Sequence, residues 1–212
     1  MIERIIFDLD NTLIPWKNEY YITFNKVLDK LNYQYDDYFI SKLIEAVDNY
    51  ESEYKTYNKS DMMELMNKYT KEKLPDNFID LWLEELSLCC EATDKDIVET
   101  LDYLYHKYDL VILTNWFAYS QINRLRKAGI YKYFSKVYCT DTFPMKPNKE
   151  SYLIAAGSYE VSKCLMIGDS IKSDVEGALK VGMNAIYYNY ENKENANGYK
   201  SINKIKELMN IL

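Results

Sequence analysis

"IIFDLDNTLIPW", Ile5 to Trp16, decides the fold. Three apolar residues, Ile5, Ile6 and Phe7, run without alternation into Asp8, the pattern of a strand buried on both faces. A second carboxylate, Asp10, follows two positions later, and the chain then turns through Asn11 and Thr12 until Pro15 stops any continuation. A buried strand ending in two mutually repelling acids poses a question of charge that the rest of the chain has to answer.

Working outward, the same kind of segment recurs as "LVIL" (110–113), "KVYC" (136–139), "KCLMI" (163–167) and "NAIYY" (184–188). Helical spacing alternates with these runs. Ile97, Leu101, Leu104, Tyr105 and Tyr108 fall on one predicted helix face. Further helices are predicted over about 117–128, 148–157 and 172–181, closed by Gly129, Gly157 and Gly182. A polar, turn-rich surface loop, "NYENKENANGY" (189–199), precedes a last predicted helix over about 201–211. Strand–helix alternation of this kind predicts an α/β fold with a Rossmann-like, doubly wound parallel sheet.

The first crossover breaks the rhythm. Roughly 80 residues separate Leu13 from the helix beginning near 94, where about a dozen would suffice. This segment has helical periodicity: Ile40, Leu43, Ile44, Val47, Tyr50 and Tyr54 form one stripe, and helices are also predicted near 18–31, 60–73 and 77–90. The expected organisation is a catalytic core of residues 1–14 and 93–212 with an all-α helical cap domain, residues 15–92, inserted after the first strand. Short connections near Pro15 and Thr93 are expected to act as hinges. Several of the 22 tyrosines fall in the insert. Most are expected in its core with their hydroxyls at a wet rim, and a few, such as Tyr20, Tyr21, Tyr54 or Tyr57, are candidates to face a substrate cleft.

The net charge of -7 argues against a nucleic-acid polymer as partner, because such binding rests on basic patches. It leaves room for a small phosphorylated ligand at a locally cationic site. No apolar run approaches the roughly 20 residues of a membrane span. The chain enters its first strand without the basic segment and apolar stretch of a signal peptide. Cys89, Cys90, Cys139 and Cys164 form no C-x-x-C pair, so buried reduced thiols and a cytoplasmic location are expected.

Ligands of open α/β sheets bind at the carboxyl ends of the strands. Asp8 and Asp10 stand there after the first strand, Thr114 and Asn115 after the second, Lys146 in the loop after the third, and Asp169 after the fourth, with Asp174 close behind. An acid at a strand end is by itself often a cap or turn former. Four polar groups at four strand ends, in order, carry more. "DLDNT" (8–12), "LTN" (113–115), "KP" (146–147) and "GDSIKSD" (168–174) resemble the four motifs of the haloacid dehalogenase-like hydrolase superfamily. The resemblance covers the core; the insert matches the position of that family's helical cap and carries no motif. One departure is Trp116, where the family commonly has a small residue, and it bears on substrate access near the phosphate.

Two like charges about 4 Å apart cost about 4 kcal/mol at an effective dielectric of about 20, and a dianionic phosphate adds to this. Lys146 supplies one positive charge. A hard divalent cation with oxygen ligands, Mg²⁺, resolves the remainder and answers the question posed by Asp8 and Asp10. The chemistry expected is phosphoryl transfer, with Asp8 as covalent nucleophile and Asp10 as general acid and then base. The resemblance further implies that Mg²⁺ is held by the Asp8 carboxylate, the Asp10 backbone carbonyl and Asp169, with Asp174 nearby, through water or behind the ligands themselves. It implies that Thr114 and Asn115 hold phosphate oxygens and that Lys146 neutralises the transferring group. His106, the single histidine, falls in the helix leading into the second strand, at the wrong end of the sheet for histidine-based triads or zinc.

The expected activity is Mg²⁺-dependent hydrolysis of a small phosphorylated metabolite, a nucleoside monophosphate or sugar phosphate, through an aspartyl-phosphate. Dehalogenases of the resembling family lack the second acid, which is present here as Asp10. A phosphomutase of the same family, a receiver-like module that holds its phosphate without turnover, and an idle scaffold are the competing readings. Oligomeric state is not legible.

Overall fold

In the computed structural model, which describes residues 1–90, 93–192 and 198–212, the five predicted strands form one parallel sheet. They are β1 (Arg4–Phe7), β2 (Asp109–Thr114), β3 (Lys136–Cys139), β4 (Cys164–Gly168) and β5 (Asn184–Tyr188), with a short β6 (Ser201–Ile202) at the edge. The strand order is β3-β2-β1-β4-β5-β6, so the winding reverses at β1. β1 is paired on both sides and buried at every position, Phe7 lying level with Ile112 of β2 and Ile167 of β4.

Side-chain alternation divides the strands between two cores. Ile5, Phe7, Leu110, Ile112, Leu165 and Ile167 face one side, where Ile97, Leu101 and Leu104 of α5 (Lys95–Tyr105) and Leu125 of α6 (Ala118–Lys127) cover them. Ile6, Val111, Leu113 and Met166 face the other, under Tyr152 and Ala155 of α7 (Lys149–Ala156) and Ala178 of α8 (Gly177–Lys180). Helices on both faces of a parallel sheet make the doubly wound α/β class that the sequence predicts.

Between β1 and α5 lie α1 (Tyr20–Lys30), α2 (Asp37–Glu53), α3 (Lys59–Thr70) and α4 (Phe78–Leu88). Asp36 starts α2 by accepting a hydrogen bond from the Phe39 N–H, and Asn58 does the same for α3 from Ser60 and Asp61. Ile40, Leu43, Val47 and Tyr50 of the predicted stripe are buried in the helices' own core. That core is aromatic: Phe24 stacks on Trp82 with centroids 4.5 Å apart, and Trp82 donates its indole N–H to the Thr23 hydroxyl (3.0 Å). Trp116, Phe117 and Met145, from loops at the strand tips, pack into the same cluster. Two backbone bonds tie the segments further: Tyr57 N–H to Thr140 O (2.9 Å) and Met145 N–H to Lys55 O (2.7 Å).

Some local expectations are corrected. Residues 201–202 pair with Tyr187 and Tyr188 instead of starting a helix; the helical turns come later, at Ile205–Glu207 and Leu208–Ile211. Tyr105 is 49% exposed, outside the buried face of α5. The helix predicted near 172 begins as a π-helical turn, Ile171–Glu176, before α8. Cys139 and Cys164 are buried free thiols as expected, whereas Cys89 and Cys90 are half-buried. The expected boundary at residues 92 and 93 adjoins residues 91–92, and the expected loop over 189–199 includes 193–197; both stretches fall outside the described residues. Among the described residues no helix is long and apolar enough to cross a membrane.

Candidate active site

The reversal at β1 opens a crevice at the carboxyl ends of β1 and β4, the place where an open sheet binds ligands. Asp8 stands at its floor. Its backbone N–H continues the strand pairing to Ile167 O (2.9 Å), which fixes the carboxylate over the strand tip. The Asn11 backbone, at φ 57°, folds the chain back so that Asn11 N–H reaches Ile14 O (2.8 Å); asparagine tolerates this left-handed conformation. The turn puts the Thr12 hydroxyl 3.4 Å from Asp8 Oδ2.

Lys146 Nζ donates to Asp8 Oδ1 (2.7 Å) and to Asp174 Oδ1 (2.6 Å), and its side chain is 3% exposed. Asp174 is drawn inward by the π-helical turn, and its second oxygen accepts the Ser170 N–H (3.0 Å). Gly168 permits this approach, since a Cβ there would stand 2.2 Å from Asp174 Oδ2. Carboxylate oxygens of Asp8, Asp169 and Asp174 lie within 4.8 Å of one another. Burial pushes the Asp8 carboxyl well above its ordinary range against the pull of Lys146, and Asp174 and Asp169 push it further. Burial and then Asp174 raise Asp169 to about 6. For Lys146 burial opposes the charge, but Asp174 and Asp8 outweigh it, so the ammonium is held more firmly than usual. Three carboxylates against one ammonium leave negative charge uncompensated, and the donor set is hard oxygen, the set that suits a divalent cation.

Asp10 is close in sequence and separate in contacts. Its Oδ1 pairs with Arg124 Nη1 (2.5 Å) and its Oδ2 accepts from Gln121 Nε2 (2.8 Å). Gln121 also donates to the Thr114 hydroxyl (3.0 Å) and accepts from Arg124 Nη1 (2.7 Å), so α6 presents a buried polar face to Asp10 and Thr114. Arg124 is anchored besides by Cys89 O (3.0 Å) and lies over the Trp16 ring.

Asn115 binds protein on both ends of its amide. Its Oδ1 accepts the Lys146 N–H (2.9 Å), and its Nδ2 donates to Lys146 O (3.1 Å) and to Glu51 Oε1 of α2 (3.2 Å). It therefore positions Lys146 and touches the helical insert. Trp116 lines the adjoining cavity; its backbone sits at φ 154° and its ring packs on Tyr20, Tyr57 and Trp82.

The predicted residues thus surround one cavity of about 210 Å³: Asp8, Asp10, Thr114, Asn115, Lys146, Asp169 and Asp174 all line it. Glu51, Gln121 and Arg124 were not singled out from sequence. Ser120, Gln121 and Arg124 recur on one face of a helix whose buried apolar residue is Leu125, a sign that this face meets polar groups. His106 caps the end of α5 that leads into β2, away from the cluster.

A family model described as haloacid dehalogenase-like hydrolase matches residues 5–188. The pyrimidine 5′-nucleotidase PynA of Streptococcus pneumoniae is 36% identical over 104 residues, 46% of this chain and 43% of that protein. The pyrimidine 5′-nucleotidase YjjG of Escherichia coli is 30% identical over 108 residues, 48% of each chain. The chain thus spans about half the length of the curated relatives it matches. A HAD phosphatase from Thermococcus onnurineus superposes with a TM-score of 0.72 at 25% identity, covering 99% of this chain and 97% of that one. The HAD-hydrolase YfnB of Bacillus subtilis, crystallised with magnesium, superposes at 0.74 with 19% identity over 100% of this chain and 98% of its own. With the family model spanning both the insert and the strand tips that carry the acids, the chain belongs to the haloacid dehalogenase-like hydrolases.

Proposed function

We propose that the protein is a Mg²⁺-dependent phosphatase that hydrolyses a small phosphate monoester, a nucleoside monophosphate or a sugar phosphate, through an aspartyl-phosphate. The observation that carries this reading is Asp8 held by a buried Lys146 amid two further acids at the switch point of the sheet. The nucleotidase names of two relatives support the nucleoside ester over the sugar. In this reading residues 1–14 and 93–212 form the catalytic core and residues 15–92 its cap, in a cytoplasmic protein whose free thiols fit a reducing compartment.

An Asp8 carboxylate oxygen attacks phosphorus as the ester P–O bond breaks, and the departing alkoxide takes a proton from Asp10. Water then attacks the same phosphorus, its proton passes to Asp10, and cleavage of the bond to Asp8 releases phosphate. Oδ2 is the less engaged Asp8 oxygen, its contact being the long one to Thr12. Gln121 and Arg124 hold the Asp10 carboxylate beside Thr114, and Asn115 holds the backbone of Lys146, whose ammonium faces charge that develops on the transferring group. Asp8, Asp169 and the Asp10 carbonyl, with Asp174 beside them, would hold Mg²⁺, which would supply positive charge to let a dianionic phosphate approach these acids.

The test is steady turnover of p-nitrophenyl phosphate with Mg²⁺. Multiple turnover that stops on chelation and returns on adding Mg²⁺ is expected. A single phosphorylation without turnover, or turnover indifferent to chelator, would overturn the reading.

A further inference from the structure

Beside the acids, and sharing Asp10, Glu51 and Asn115 with their cavity, lies a second cavity of about 290 Å³ between α2 and α6. It is the space open to whatever is esterified to the phosphate. Its walls differ in chemistry. Trp16, Tyr20 and Trp116 supply aromatic faces, with Tyr20 and Trp116 stacked 6.0 Å apart. On the insert's side, α2 contributes Asp48 and Glu51, one turn apart on the same helix face. Neither has an ion-pair partner among the described residues, and Tyr57 and Asn115 both donate to the same Glu51 oxygen, leaving Oε2 free. Asp10, Asp48 and Glu51 add to burial in keeping the Tyr20 phenol protonated, which marks the field there as negative. On the α6 side stands Arg124, 2% exposed, with Nη2 buried and without a hydrogen-bond partner. A buried donor left unpaired calls for an acceptor.

We propose that this cavity selects an amino-bearing pyrimidine as the leaving group's base, cytosine in preference to uracil. The flat ring lies among the aromatic faces, its exocyclic amino group donates to Glu51 Oε2 and to the Asp48 carboxylate, and its carbonyl faces the cationic Arg124 side chain in the cavity wall. A carboxylate accepts and does not donate, so uracil, which presents a carbonyl where cytosine presents the amino group, meets repulsion. A leaving group with a second anionic group is rejected on the same ground. The inference rests on the phosphatase reading and deepens it.

The experiment compares kcat/KM for cytidine 5′-monophosphate, uridine 5′-monophosphate and phosphoglycolate in the wild type and in Glu51→Gln, with p-nitrophenyl phosphate as a further probe. The wild type is expected to favour the cytidine ester over the uridine ester by about 10-fold, the discrimination of one good carboxylate–amino contact. Glu51→Gln gives the site an amide that donates as well as accepts, so the ratio falls toward unity, chiefly through KM. Asp48→Asn, on the same exposed helix face, moves the ratio in the same direction. Equal use of both nucleotides by the wild type, a ratio unmoved in both variants, or a preference for phosphoglycolate overturns the inference. Turnover of p-nitrophenyl phosphate with no nucleotide used overturns it and leaves the phosphatase reading standing; turnover of no ester removes both.

Discussion

Lys146→Met tests whether the acids at the strand tips are held together by one buried charge. Methionine approximates the length of the lysine stem and removes the ammonium. Nζ lies 2.7 Å from Asp8 and 2.6 Å from Asp174, and each contact carries about 6 kcal/mol of Coulomb attraction at an effective dielectric of about 20, before desolvation is counted. Desolvation cancels much of this, and loss of one partner from a buried ion pair costs about 3–5 kcal/mol. In the variant Asp8, Asp169 and Asp174 face one another within 4.8 Å, where a charged pair repels by about 3.5 kcal/mol on the same scale. Protonation relieves that repulsion. Asp8 and Asp169 already titrate above their ordinary range, so the folded state binds more protons than the unfolded one and gains stability as pH falls. Urea unfolding without divalent ion, followed by circular dichroism, is expected to show a loss of about 3–5 kcal/mol at neutral pH and a smaller loss near pH 5. A loss under about 1 kcal/mol at both pH values, the level of a surface pair, would refute the reasoning.

Two further substitutions probe the supports of the site. Gly168→Ala places a Cβ 2.2 Å from Asp174 Oδ2, so Asp174 must move; a stability loss of about 1–3 kcal/mol together with weakened Mg²⁺ binding is expected, and unchanged metal titration would contradict it. At the other end of the sheet, Asp109 accepts from Arg4 Nε (3.0 Å) and Nη2 (2.7 Å) and from the Ser135 hydroxyl. Burial alone would raise its carboxyl, but Ser135 and Arg4 outweigh burial and hold it below the ordinary value of 3.8. Its contribution is therefore present above that value and lost as pH falls through the lower folded one. Asp109→Asn should cost about 1–2 kcal/mol at neutral pH, with the gap to wild type closing in acid; a gap constant with pH would count against the pairing.

How far the sequence could be read follows from which contacts are local. β1 reads as a buried strand because both its faces need apolar side chains, and "RIIF" supplies them without alternation. The helical insert is legible from the stripe of α2 and from the length of the gap it fills. β6 is not: two residues have no periodicity, and what orders them is pairing with Tyr187 and Tyr188, distant in sequence. Asp174 is visible as an acid near the site, but its contact with Lys146 depends on a π-helical turn that an expected α-helix does not supply. Arg124 and Gln121 meet Asp10 across more than a hundred residues, and no spacing in the chain announces that meeting. Trp116 reads as a residue that bears on substrate access near the phosphate; its aromatic packing is not legible, because Tyr20, Tyr57 and Trp82 converge on it from three separate segments.

The claim tested most directly is covalent: phosphate passes onto Asp8. Protein turning over an ester labelled with radioactive phosphate, quenched in acid and cleaved into peptides, should carry the label on the peptide containing Asp8, and the Asp8→Asn variant should carry none. Label on any other residue, or brisk turnover with no protein-bound phosphate and full activity in Asp8→Asn, would contradict the account.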